Sequence, residues 1–163
     1  MAVSPDGDGV LAAGTFSRHV GLYDSNGTGQ SLGTFSIART EADRYIGGRG
    51  VTQLVWSPCG RYLYIAERKS DGVLIYDIRV TGQLLGWLEG RNAITNQRMK
   101  IDIVPTRQGE SHEIWAGGTD GYMRLWRDPV SSAGPRKPAW EWKVHDGEQQ
   151  LSINIEAKYA YTL

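Results

Sequence analysis

Four side chains in this sequence belong to the types most often used as nucleophile, general base or metal ligand: Cys59, His19, His112 and His145. The histidines are scattered along the chain with no HExxH or Cys-His spacing, so no metal site is expected. Cys59 is the third residue of Ser57-Pro58-Cys59-Gly60, and Asp6 holds the same place in Ser4-Pro5-Asp6-Gly7, so Cys59 reads as a turn residue rather than a nucleophile. Gly7-Asp8-Gly9-Val10-Leu11-Ala12 formally matches a dinucleotide-binding pattern. No strand of adequate length precedes it, and Ala13 to Phe16 continues as a strand where that motif requires a helix. No catalytic residue, cofactor or small-molecule substrate is therefore expected. The remaining chemistry lies in the arginines, whose planar forks pair with phosphate and stack on bases. Whether they converge depends on the elements that carry them.

The chain has 163 residues, enough for one compact domain of roughly 150 residues or for a piece of a larger one. Its 18 basic residues balance its 18 acidic ones, so any anionic partner must be held by a local patch. Six Trp, eight Tyr and 21 Gly favour many short strands over helices. No run approaches the ~18 apolar residues of a membrane-spanning helix. With a single cysteine and an opening MAVSPDG that lacks the features of a secretory signal, an intracellular protein is expected. Asn26-Gly27-Thr28 fits a glycosylation pattern but reads better as a hairpin turn.

Three segments align without a gap: AGTFSRHVGLYD from Ala13, AERKSDGVLIYD from Ala66 and AGGTDGYMRLWR from Ala116. Each reads as a strand end, a polar turn and a second strand. Around the middle one, strands are expected at 51–56, 61–66, 72–78 and 83–88, which makes one antiparallel meander. Tyr62-Leu63-Tyr64-Ile65 and Val73-Leu74-Ile75-Tyr76 are apolar on both alternating faces, so each sheet must be covered on both sides. Repeated four-stranded sheets of ~40 to 50 residues buried on both faces specify a β-propeller. The expected fold is all-β, with about three blades at 1–36, 51–89 and 99–145, a loop from Asp128 to Pro138, and a possible start of a fourth blade at 151–163. Because propellers need ~4 to 8 blades, the chain reads as incomplete: a fragment, an abbreviated gene product, or a piece that associates with another chain.

The Ser-Pro-x-Gly turns and the Leu/Ile-Tyr/Trp-Asp/Arg strand ends resemble WD-repeat (WD40) proteins. That resemblance implies a hydrogen-bond network in each blade, built from a turn Asp, a Ser or Thr, a Trp and an upstream His. Asp71 and Asp120 match the turn Asp and Trp126 the Trp, while Tyr23 and Tyr76 replace Trp in the other blades. The Gly-His pair is missing, and Gly47-Gly48-Arg49-Gly50 stands in its place. The stretch GVTQLVWSPCGRYLYIAERKSDGVLIYDIR, then Thr95-Asn96-Gln97-Arg98, then Gly117-Gly118-Thr119-Asp120-Gly121, is similar to the telomerase Cajal body protein family. The similarity covers about residues 1 to 128. It implies a nuclear, non-enzymatic scaffold of Cajal bodies that binds small Cajal body or small nuclear RNA, in some members telomerase RNA, with ties to mRNA splicing. A protein-interaction propeller without RNA, or an inactive remnant, stands as the alternative.

In a propeller, the turns between second and third strands share a rim with the connections between blades. Here that rim is residues 16–19, 36–50, 67–71, 89–98 and 118–121. It carries Arg18, Arg39, Arg44, Arg49, Arg68, Lys69, Arg91 and Arg98 against Glu41, Asp43, Glu67, Asp71, Glu89 and Asp120. Those eight cations are the candidate RNA contacts, with Tyr45 as a stacking platform and Asn96-Gln97-Arg98 as readers of base edges. The alternatives are that the charges solvate loops, and that Arg98 is a buried clasp between blades.

Overall fold

The computed structural model describes residues 1–106 and 111–144. The fold is all-β, and its sheets stack as successive blades. The first contains β1 (Ala2–Val3), β2 (Leu11–Gly14), β3 (His19–Tyr23) and β4 (Ser31–Ser36), paired antiparallel in chain order. One helical turn, α1 (Asp43–Ile46), lies in the connection to the second sheet. That sheet is built from β5 (Val51–Trp56), β6 (Tyr62–Glu67), β7 (Val73–Asp77) and β8 (Gln83–Leu88). The third begins with β9 (Ile101–Pro105), β10 (His112–Gly117) and β11 (Tyr122–Arg127). The chain then returns to the second sheet as β12 (Gly134–Arg136) before completing the third with β13 (Trp140–Lys143). The region expected as a fourth blade, and His145, lie outside the described residues.

The two-faced apolar pattern of the second sheet has its expected cause. Leu63, Ile65, Leu74 and Tyr76 point into a core shared with Val20, Leu22 and Phe35 of the first blade. Tyr64, Ala66, Val73 and Ile75 point the other way, onto Ile101, Ile114 and Trp126 of the third. A strand sends alternate side chains to opposite faces, so a sheet between two others must be apolar at every position. The first strands of the blades are joined by side chains as well. The Trp56 indole N–H donates to the Ala2 carbonyl at 3.0 Å. The Gln53 amide both donates to the Ile101 carbonyl, at 2.9 Å, and accepts from its N–H, at 2.8 Å.

Two details depart from the sequence reading. The repeats align without a gap, yet Gly14–Val20 and Gly117–Met123 close five-residue turns while Ala66–Val73 closes six. The second hairpin is thus one residue out of step. The expected loop at 128–138 also contains β12, which pairs parallel with β8 through Gly134–Gly86, Pro135–Trp87 and Arg136–Leu88. Pro135 is tolerated there because the strand lies on the sheet's edge, where its missing N–H breaks no ladder. The Asn26 turn is as expected, with φ of 57° at Asn26 inside a 3-10 turn at Ser25–Gly27.

Between the second and third blades, the Tyr64 hydroxyl and His112 Nε2 share a buried hydrogen bond of 2.5 Å. Burial holds His112 below its usual 6.5, against the opposing pull of Asp128. The folded chain therefore resists a proton that the unfolded chain accepts, and stability should fall as the pH drops below about 6.5. Denaturant titrations between pH 7.5 and 5.5 should show this loss. His112→Gln, which cannot titrate, should remove most of it, and an unchanged pH dependence would count against the assignment.

Candidate nucleic-acid interface

The rim is a weave of turns and connections. The second blade's turn lies between two inter-blade segments. On one side Arg49 N–H donates to the Arg68 carbonyl (2.9 Å), Arg68 N–H to Gly50 (3.0 Å) and Asp71 N–H to Ile46 (2.7 Å). On the other side Lys69 N–H donates to Thr95 (2.9 Å) and Arg91 N–H to Asp71 (2.8 Å). Ser70 bridges both Gly47 and Ala93. The turn aspartates fasten these connections. The Asp71 carboxylate accepts from Asn92 N–H at 2.6 Å. Asp120 holds Arg124 at 2.5 Å, and Arg124 in turn donates to the Arg91 carbonyl at 3.2 Å. Burial alone would raise the Asp120 carboxyl. Hydrogen bonds from Arg124, the Asn92 side chain and the Tyr122 amide outweigh it and hold Asp120 at about 2.

Two of the eight candidate cations are committed inside the fold. Arg18 reaches Asp43 and Glu67, each at 2.7 Å, with only 15% of its side chain exposed and 1% of Glu67's. It also donates to the Ile37 carbonyl, which makes it a clasp joining the first blade's turn, the connection and the second blade. Burial alone would raise the Asp43 carboxyl, but the Arg18 guanidinium and the Arg39 amide hold it below the usual range. The glycine run that replaces Gly-His has a steric reason here. Gly48 has φ of 142°, and a Cβ there would stand 2.2 Å from the Glu67 carboxylate. Arg91 is fully buried and donates to the Met99 carbonyl at 2.5 Å. Its Nε and Nη1 have no partner among the described residues, and burial brings the group down to about 10.

The blade positions at strand ends divide. Tyr76 and Trp126 are buried, and neither the hydroxyl nor the indole N–H has a hydrogen-bond partner among the described residues. The network implied by the resemblance is thus not completed at these two. Tyr23 is half-buried and lies over Gly21, where a Cβ would be 2.7 Å from its hydroxyl.

Arg39, Arg44, Arg49, Lys69, Asn96, Gln97 and Arg98 are exposed, and Arg68 is half-buried. The backbone pairings place Arg49, Arg68 and Lys69 on one strip, and the Lys69–Thr95 bond carries it to Asn96, Gln97 and Arg98. Arg98 is no buried clasp; that role belongs to Arg18. Phe16, missed in the sequence, completes the strip: it is 71% exposed and lies 5.8 Å beneath the Arg68 guanidinium. An aromatic residue inside a polar hairpin turn was its signal. Tyr45 stands apart from the strip, stacked on Trp87 at 5.3 Å and facing carboxylates. Asp43 and Glu67 share Arg18, and Arg124 holds Asp120, so the rim acids outside these pairs are Glu41, Asp71 and Glu89, against Arg39, Arg44, Arg49, Arg68, Lys69 and Arg98. A strip of this kind suits phosphate contact from guanidinium and ammonium groups, with base stacking on Phe16.

No family model matches the chain. Guanine nucleotide-binding protein negative regulator 1 of Schizosaccharomyces pombe is 38% identical over 128 residues, covering 78% of this chain and 29% of that protein. Telomerase Cajal body protein 1 of Homo sapiens is 32% identical over 120 residues, covering 72% of this chain and 21% of that protein. The chain thus spans about a quarter of the length of these curated relatives. Among solved structures, Chaetomium thermophilum Sqt1 matches with a TM-score of 0.62 at 22% identity, covering 90% of this chain and 34% of that one.

Proposed function

Because this chain is a WD-repeat propeller segment of the telomerase Cajal body protein family, we propose that its cationic rim strip binds small nuclear or small Cajal body RNA. In this reading the segment is part of a non-catalytic nuclear scaffold for ribonucleoprotein assembly. The observation that carries it is the contiguity of Arg49, Arg68, Lys69 and Arg98 beside the exposed Phe16 ring. Guanidinium and ammonium groups along one path can each pair with a phosphate of a backbone, where a single anion would engage only one or two of them. Arg39 and Arg44, on the connection that carries α1, extend the positive surface toward the first blade.

The test is RNA binding to a single-stranded oligonucleotide as a function of salt. Arg68→Ala, Lys69→Asn and Arg98→Ala are combined, with Asn chosen because Lys69 has φ of 48° and Asn tolerates that conformation. Each lost phosphate contact lowers the slope of log K against log salt by about 0.7, so the triple variant should lose about 2. The circular dichroism spectrum should not change. An unaltered slope in a folded variant would remove this strip as the RNA site.

A further inference from the structure

We propose that a pocket between the second and third blades receives an arginine side chain from an extended segment of a protein partner. The pocket has a volume of about 350 Å³ and is lined by Tyr45, Asp71, Glu89, Lys137, Pro138 and Glu141. Its charge is opposite to that of the strip, with three carboxylates against one ammonium. Asp71 and Glu89 take part in no ion pair among the described residues, and their known bonds come from neutral donors. The Asn92 N–H donates to Asp71 at 2.6 Å, and the Trp87 indole to Glu89 at 2.9 Å. Glu141 lies 3.4 Å from Arg124, which Asp120 holds more closely. The Tyr45 ring, 59% exposed and stacked on Trp87, supplies an aromatic wall beside these anions.

A phosphate would be repelled here. A guanidinium suits the aromatic wall and the excess of carboxylates over Lys137: it lies flat on an aromatic face and donates charge-assisted bonds to carboxylates at its edge. Lysine would use the charge but not the plane. The residues that form this pocket are not those of the RNA strip, so the two sites are tested separately.

N-acetyl-arginine amide is titrated into the full chain, and the Trp87 indole N–H, which reports on Glu89, is followed by NMR. The arginine compound should shift that signal saturably. Its neutral citrulline counterpart should bind about tenfold more weakly, for want of charge-assisted bonds. Glu89→Gln keeps an acceptor for the Trp87 N–H and should weaken arginine binding about fivefold. Tyr45→Ala, on the exposed face of α1, gives a second reading should the Glu89 variant fold poorly. The Arg68/Lys69/Arg98 triple variant should bind arginine normally. Equal binding of citrulline, or arginine binding unaffected by both pocket variants, would overturn the proposal, as would displacement of the Trp87 signal by RNA alone.

Discussion

Replacing Arg18 with Met should destabilise the chain by about 3 to 5 kcal/mol, the usual cost of leaving a buried charge without its partner. Only 1% of the Glu67 side chain is exposed, and its other bond of note is from the Gly50 N–H at 3.1 Å. A single amide cannot replace a guanidinium that also holds Asp43 and the Ile37 carbonyl. Arg18 adopts φ of 63°, so its backbone is fixed where the side chain can reach both acids. The lower end of the range is the better expectation, because 23% of the Asp43 side chain reaches solvent and screening softens that half of the clasp. Urea denaturation monitored by tryptophan fluorescence measures the effect. Arg18→Met combined with Glu67→Leu should recover part of the loss, since the buried carboxylate is gone and the charge left without its guanidinium is Asp43, which reaches solvent. A single-variant loss below about 1 kcal/mol, in the range of exposed pairs, would mean that the clasp is solvent-screened.

Gly86→Ala should detach β12 from the second blade. A Cβ at Gly86 would stand 2.2 Å from the Gly134 carbonyl oxygen and 2.9 Å from its nitrogen, both backbone atoms that cannot rotate aside. The strand must leave, and with it goes the bond from Glu89 N–H to the Arg136 carbonyl at 2.8 Å. The rest of the blade should survive, because β8 remains paired with β7. Trypsin reads the outcome: the Arg136–Lys137 bond should be cut at least about tenfold faster, equivalent to roughly 1.4 kcal/mol of lost local protection. Lys137 and Pro138 form one wall of the acidic pocket, so arginine binding there should weaken in the same variant. An unchanged cleavage rate at that bond would show that β12 is not held by this contact.

Much of the fold was legible because its signals are local. The unbroken apolar run from Tyr62 to Ile65 and the Ser57-Pro58-Cys59-Gly60 turn, where Gly60 has φ of 67°, place the second blade's strands to within about a residue. Arg18 was not legible as a clasp. In sequence it is one more charge in a polar turn, and its partners lie 25 and 49 residues away. Arg91 was misread for the same reason, since its burial is made by the turns of two blades closing over one connection. β12 was hidden by its own composition: Gly-Pro-Arg has the residues of a loop, and only tertiary pairing with β8 makes it a strand. The rim charge was read as a small positive excess, because counting cannot tell an acid spent on an internal pair from one facing solvent. Structure separates the two and leaves a basic strip and an acidic pocket on the same rim.

The Arg18 clasp also limits how such a protein can change by recombination. Its cation comes from one blade, one acid from the connection and the other from the following blade. Cutting the gene between these blades and inserting a foreign repeat would strand Arg18 on one side and Glu67 on the other. Exchange is tolerated only where the crossover falls within a blade, or where donor and recipient carry the same pair. The unit that evolution can shuffle here is therefore a boundary with its two half-blades, and not the blade itself.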